Sequence, residues 1–488
     1  TRDWLVKHMP AGHLETLTLA MRMDADAVEL AIADRPLPEK ALALAWTLRR
    51  SVLAPLAQAP VLRDLSITGR ASGKDVRIDV LAGHLDAGDG RRLQLGRGSF
   101  IVPNTQMRDP AARVVLPMTG PAEALLAAAR SPGLAPFMGR PSEATKLRGQ
   151  ASVDLTLAMQ LKHVMDASDV RASLVGTLSK LTIEGINGLD RIENADLAMT
   201  VDRNGLMLKG EGQVFGTPAA IEVRGQGKSV PVATLTLTLD ETARARKGIR
   251  LAPMLTGPVT AKLTAPLAAD AGKQETVAEI DFTRAVIADL LPGWNKRAGQ
   301  TARARGALSE LPGGGWRVDR FEIDAGPVAA RGSLDLGKDG GLVKASLSSF
   351  RLSPGDAVQV DAERTGATTR ISVKGNAFDA RPFLKSLQTG GIDKTNASNT
   401  EITLRSTVLS GFGGELVTNA DLKLEKRGNT LTRFDLNGRF DGGPIVARLT
   451  SQAGSAPVLT VESYDAGAFL RFFDLYSRMQ GGEMQLSV

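Results

Sequence analysis

Apolar and polar residues change places at nearly every step along much of this chain. Leu235, Leu237 and Leu239 alternate with Thr234, Thr236 and Thr238, and Leu197, Met199 and Val201 alternate with Ala198, Thr200 and Asp202. Val153, Leu155 and Leu157 behave alike, as do Ile402 with Leu404 and Leu422 with Leu424. A period of two puts every second side chain on one face of a strand, so each run predicts a strand with one dry and one wet face. Between the runs lie Asn204-Gly205, Asp339-Gly340, Arg427-Gly428-Asn429 and Asp441-Gly442. These residues accept the positive φ angles of hairpin turns, and the expectation is a meander of antiparallel hairpins.

Part of the pattern repeats. Ala195 to Gly225 resembles Ala420 to Leu449, each reading strand, turn, strand, Gly-containing turn, strand. Repetition of this kind suggests a sheet that grows by adding units along one axis. Helical material is scarce. Residues 121–130 form a short Ala/Leu-rich stretch, followed by a Pro/Gly-rich connector to about Pro141. Two further short helices are predicted after Asp379 and Asp465, because Asp is a good N-cap and the following apolar residues fit one helix face. In the second, Phe469, Phe472, Phe473 and Tyr476 fall at helical spacing. These helices read first as caps on the sheet core and secondarily as plugs of a groove.

An apolar strand face of this length needs something against it, and a few short helices cannot cover it. Two solutions remain: a sandwich, the default for an all-β chain, or a trough whose interior meets an apolar ligand. Composition alone puts the sandwich ahead. The repeat, the scarcity of helices and the aliphatic character of the face favour the trough.

Composition sharpens that character. Of 488 residues, 43% are hydrophobic but only 4% aromatic, so the apolar content is Leu, Val, Ile, Ala and Met, and the 51 glycines fit many tight turns. The chain has no cysteine, which excludes disulfides, zinc-thiolate sites and thiol catalysis. The net charge of +7 reads as ordinary solubility at this length. No run reaches the roughly 18–20 apolar residues of a membrane-spanning helix. The chain opens on Thr1 and ends on alternating Met484, Leu486 and Val488, which leads us to expect a fragment.

The motifs of catalysis are missing. Gly227-Lys228-Ser229 imitates the end of a phosphate loop, but Glu222 stands where the first glycine belongs. Asp335 to Gly340 hints at a calcium loop, but Gly337 and Ser346 occupy ligand positions. His8, His13, His84 and His163 show no metal-ligand spacing. Asp24 with Asp26, and Asp86 with Asp89, read as acids at turns. Basic residues cluster at Arg244, Arg246, Lys247 and Arg250 and again at Lys296, Arg297, Arg303 and Arg305. With only Trp294 nearby they lack the stacking partners of nucleic-acid readers and read as solvated strand faces, with anionic headgroups the second reading. No enzyme, no cofactor and no nucleic-acid partner is expected.

Several segments resemble the AsmA-like superfamily of Gram-negative envelope proteins, of the YhdP and TamB type. They are Trp4 to Met21, Arg130 to Met159, Gly293 to Gly306 with its Gly-Trp-x-Lys-x-x-Gly turn, and Asp465 to Val488, the nearest of the four. The resemblance implies an inner-membrane anchor, a long twisted β-trough in the periplasm, and passage of phospholipid acyl chains between the inner and outer membranes. With strands about 4.8 Å apart, some twenty-five to thirty of them would extend over roughly 120–140 Å.

The expectation is therefore mainly β: an elongated, twisted antiparallel sheet curled into an aliphatic groove with a few short capping helices. Its segments are 1–120, a helix and connector at 121–150, groove repeats at 151–306 and 307–464, and a closing helix and strand at 465–488. The lipid-binding positions expected are Val153, Leu155, Leu157, Leu197, Met199, Val201, Leu235, Leu237, Leu239, Ile402, Leu404, Leu422 and Leu424. The resemblance implies phospholipid acyl chains, the two membranes and proteins at the groove ends as partners. A factor assisting assembly of outer-membrane proteins through its sheet edges is the alternative.

Overall fold

The computed structural model describes residues 6–33, 35–55, 58–134, 146–162, 169–184, 191–214, 216–227, 229–246, 251–267, 275–338, 340–388, 399–428, 430–450 and 457–488. The fold is mainly β, 63% strand and 11% helix, with 27 strands in one large mixed sheet, a separate three-stranded sheet and a few short helices. The chain divides into two compact units, Thr1–Leu237 with Thr264–Gln274, and Thr238–Leu263 with Glu275–Val488.

The first unit carries β1 (Ala11–Met21), β2 (Leu42–Leu53), β3 (Val61–Ser72), β4 (Val76–Asp86), β5 (Arg92–Leu95), β6 (Gly98–Val102) and β7 (Ala111–Pro121). It continues through β8 (Lys146–Gln160), β9 (Val170–Glu184), β10 (Ile192–Asp202), β11 (Gly205–Val214), β12 (Thr217–Gly225) and most of β13 (Val232–Leu239). Neighbours in sequence pair antiparallel from β1 to β4 and from β7 to β13, with the short β5 and β6 end to end between β4 and β7. Helix α1 (Ala25–Ile32) follows β1, and α2 (Ala122–Ala129) follows β7.

The second unit begins with α3 (Glu241–Arg246) and holds β14 (Leu255–Thr256), β15 (Val259–Pro266, in part), β16 (Thr276–Asp281), β17 (Val286–Ala288) and β18 (Asn295–Lys296). Then come β19 (Arg303–Glu310), β20 (Trp316–Ala325), β21 (Val328–Leu336), β22 (Leu342–Arg351), β23 (Ala357–Thr365) and β24 (Thr368–Asp379). After α4 (Arg381–Gln388) follow β25 (Asn399–Ser410), β26 (Leu416–Arg427), β27 (Thr430–Phe440), β28 (Gly443–Thr450), β29 (Val458–Ser463), α5 (Ala466–Phe472) and β30 (Met484–Ser487).

Among the described pairings the purely antiparallel expectation fails between β24 and β25, which run parallel. Parallel neighbours cannot be joined by a hairpin, and the crossover between them contains α4. The repeat holds at the level of elements, since β10–β11–β12 and β26–β27–β28 are both antiparallel triplets joined by short turns. Both triplets open on a bulge in which an asparagine, Asn194 or Asn419, takes a left-handed conformation with φ of 47° and 52°. Asp339 and Asn429 of the expected turns lie outside the described residues.

The predicted helices form as α2, α4 and α5. Asp465 caps α5 by accepting from the Ala468 N–H at 2.8 Å, and Asp379 accepts from the Arg381 N–H at 3.0 Å. Helix α5 ends at Phe472, so Tyr476 lies beyond it and is exposed, contrary to the four-aromatic reading. Helices α1 and α3 were not expected. Asp24 is the cap of α1, which gives the acid pair Asp24 and Asp26 a structural role.

Candidate functional site

Strand register shows which side chains share a face. In the first unit one row runs Gly120, Ala151, Leu178, Leu197, Gly210, Ile221, Leu235 across β7 to β13. The next runs Met118, Val153, Gly176, Met199, Leu208, Val223, Ala233, and a third runs Leu116, Leu155, Leu174, Val201, Leu206. A fourth extends from β1 to β9: Leu17, Trp46, Gly69, Ile78, Phe100, Val114, Leu157, Ala172. Two positions apart on each strand, these rows stand on one face. Every side chain in them is apolar.

The second unit has the same construction. Leu347, Val360, Val373, Leu404, Leu422, Leu436, Ala447 and Val461 form one row over β22 to β29. Ala345, Ala362, Ile371, Ile402, Leu424 and Phe434 form the row beside it. All thirteen expected positions lie on strands, and those within each unit's rows share that unit's face.

Burial divides them. Val153, Leu197, Met199, Leu235, Leu237 and Leu404 are buried, whereas Leu155, Leu157, Val201, Leu239, Ile402, Leu422 and Leu424 are half-buried. The division follows the strands. On β8 the inward side chains pass from buried Ala151 and Val153 to half-buried Leu155, Leu157 and Met159, and on β10 from Ala195, Leu197 and Met199 to Val201. On β26 they pass from Val417 and Ala420 to Leu422 and Leu424, and on β24 from Phe378 to Val373 and Ile371. Each face thus has a closed end and an open end.

Two devices make the closed end. One is a set of bulges that turn the next side chain inward over a glycine of the neighbouring strand. Leu181 follows left-handed Lys180, and its methyl lies 3.0 Å from where Gly149 would carry a Cβ. Ala195 meets Gly212 in this way, Leu65 meets Gly83, and Ser51 meets Gly12. A Cβ at these glycines would collide, and each bulge bends its strand and raises its twist. The other device is a helix. In the second unit α4 and α5 bring Leu384, Phe469 and Phe472 onto Val417, Leu436, Phe440 and Ile445. Phe440 and Phe472 meet edge to face, 5.7 Å apart.

The opposite faces are polar, with cross-strand ion pairs such as Arg305–Glu322–Arg331, Arg370–Glu401 and Arg405–Asp421. The Asp86 carboxyl lies below its usual range, chiefly because it accepts from the Gly88 N–H. Asp89 pairs with Arg91, so both acids serve a turn. His163, Lys228, Lys247 and Arg250 lie outside the described residues. No group of three or more potential metal ligands occurs among the described residues.

One sequence reading is corrected. The basic clusters read as solvated, yet Arg244 and Lys296 are both buried. The Arg244 guanidinium donates to the carbonyls of Leu239, Gly257 and Leu255. The Lys296 ammonium donates to those of Ala285, Arg297 and Thr283, at 2.7, 3.1 and 3.2 Å. Burial pushes the Lys296 pKa below its ordinary value, against the attraction of Asp281. In the Gly-Trp-x-Lys-x-x-Gly turn, Trp294 sits in the hydrophobic cluster of β14, β17 and their neighbours, and Lys296 ties the loop carbonyls together. These residues stabilise the packing around the small β14–β17–β18 sheet.

Positions such as Leu174, Leu206, Leu208, Val114, Ile371 and Val373 belong to the face but escaped the sequence reading. Their strands carry weaker alternation, and only pairing reveals which neighbour they continue. No family model, curated protein or solved structure matches this chain.

Proposed function

We propose that the chain is part of a bridge-like carrier of phospholipid, with the sheet curled into a groove along which acyl chains lie while headgroups stay in water. The observation that carries the reading is the set of unbroken apolar rows, each crossing five to eight strands, on faces that are half-buried at one end of their strands. Aliphatic side chains give an acyl chain a surface without directional contacts, so desolvation stabilises it wherever it lies and no single position traps it. The bulges at the closed end support the curl, because each adds local bend and twist to its strand. The open end places Leu155, Leu157, Leu422 and Leu424 where an acyl chain can reach them from solvent.

No helix among the described residues is long and apolar enough to cross a membrane. The periplasmic location and the inner-membrane anchor of the full-length protein belong to this proposal through the AsmA-like resemblance, as does movement of lipid between the inner and outer membranes. No reaction is catalysed in this reading.

The test is mass spectrometry of lipids co-purified with the protein, followed by a vesicle-to-vesicle transfer assay with labelled phospholipid. Diacyl lipid should accompany the wild type. The pairs Leu155→Glu/Leu157→Glu and Leu422→Glu/Leu424→Glu should fold and lose it. Lipid-free protein, or transfer undiminished in both pairs, would sink the reading.

A further inference from the structure

The apolar face of the second unit changes character at its open end. One step beyond Ala362, Ile371, Ile402 and Leu424, strand pairing sets Arg364, Thr369, Thr400 and Lys426 side by side across β23 to β26. Each lies two positions from its aliphatic neighbour on the same strand, and so on the same face. Thr369, Thr400 and Lys426 are half-buried and Arg364 is exposed. The first unit offers a contrast. At its open end the rows Leu44, Ala71, Val76 over β2 to β4 and Ala112, Met159, Val170 over β7 to β9 carry neither charge nor hydroxyl.

The acids next to this row in sequence face the other way. Glu363 and Glu401 stand opposite Arg370 on the polar face, where the Arg370 Nε donates to Glu401 at 2.9 Å, and Glu425 pairs with Arg433 at 3.4 Å. The inward row therefore joins two cations and two hydroxyls, with no carboxylate among its four members. Three strand spacings, about 14 Å, separate Arg364 from Lys426, a gap that two long side chains can narrow to the size of a phosphate. Arginine offers paired N–H donors in a planar fork, lysine a point charge, and threonine hydroxyls donate to further oxygens. Beside them lie Ile371, Ile402 and Leu424, so the site has a cationic layer and an aliphatic one. A free phosphate satisfies only the first layer and a plain hydrocarbon only the second; a lipid with an anionic headgroup satisfies both.

We propose that Arg364, Thr369, Thr400 and Lys426 form a headgroup site for anionic diacyl phospholipid, holding the phosphate while the acyl chains lie on Ile371, Ile402 and Leu424. The inference rests on the lipid-carriage reading and adds a selectivity to it. The second unit's face prefers lipids of net negative charge, and the first unit's face does not discriminate.

The chain has no cysteine, so Leu424→Cys labelled with bimane places a single fluorophore beside the site in the full chain. Its quenching is titrated with vesicles of phosphatidylglycerol or of phosphatidylcholine, each lipid carrying a doxyl group on one acyl chain. The phosphatidylglycerol midpoint should lie about tenfold or more below that of phosphatidylcholine. In the labelled protein, Arg364→Gln and Lys426→Gln should each raise the phosphatidylglycerol midpoint about fivefold, and together erase the preference, with the phosphatidylcholine midpoint unchanged. Arg427→Gln/Arg448→Gln removes the same charge from the opposite face and should keep the preference. Equal midpoints for the two lipids, or a preference that survives Arg364→Gln/Lys426→Gln, overturns the headgroup site and leaves carriage standing. So does equal loss of the preference in Arg427→Gln/Arg448→Gln, or displacement of the lipid by inorganic phosphate at the lipid's own concentration. Quenching by neither lipid removes carriage and the headgroup site together.

Discussion

The triplets β10–β11–β12 and β26–β27–β28 share a strand order, a left-handed asparagine, an Ala-Asp-Leu that follows it, and a glycine facing the bulge, Gly212 in one and Gly438 in the other. They differ in what lies on the inward face. In the first triplet Leu197 and Met199 are buried in rows of aliphatic residues alone. In the second Leu422 and Leu424 are half-buried, and phenylalanines of α4 and α5 cover the closed end. One local design is thus finished in two ways, by neighbouring strands or by a helix. A bulge and a glycine set the bend of a strand; the cover depends on what the chain does next.

The largest expected effect comes from a charge placed at equivalent positions. Leu197→Arg buries an unpaired guanidinium and should cost about 4 kcal/mol or more, whereas Leu422→Arg can reach water and should cost well under half of that. Urea unfolding measures both, and equal losses would break the comparison. On this reading the face tolerates a charge only at its open end. Removing the helix cover comes next: Phe472→Ala should cost about 3–5 kcal/mol and release amide protection in β26 to β29 while leaving β10 to β12 unchanged.

Asp379 tests how that cover is anchored. Burial pushes its carboxyl up, but hydrogen bonds from the Arg381 side chain and backbone outweigh burial and hold it below 3.8. A carboxyl depressed in the folded state stabilises fully above its unfolded pKa and loses that contribution as pH falls through the folded value. Asp379→Asn should therefore cost about 1–3 kcal/mol near neutral pH and flatten the loss of stability below pH 3.8. The smallest effect sharpens the likeness of the triplets. Asn194→Ala and Asn419→Ala should each cost about 1 kcal/mol, because alanine resists positive φ, and the glycine variants should cost almost nothing.

Much of the fold was legible. Alternation located Leu235, Leu237 and Val153 on strands, and Asp465 announced α5. Helix α1 escaped because Ala25–Ile32 is short and continues an apolar region, although its capping Asp24 was visible. The parallel β24–β25 pair escaped because strand direction leaves no mark on a period of two. The burial of Lys296 could not be read from a basic cluster, since its three carbonyl partners come from backbone that any sequence supplies.

For the candidate face, the sequence by itself determined that most inward positions would be aliphatic. Period two and the scarcity of aromatics are properties of single strands, and they survive any arrangement of neighbours. Only the tertiary structure decided which of those positions are closed and which remain open. Burial depends on register, on bulges facing glycines and on helices delivered from elsewhere in the chain.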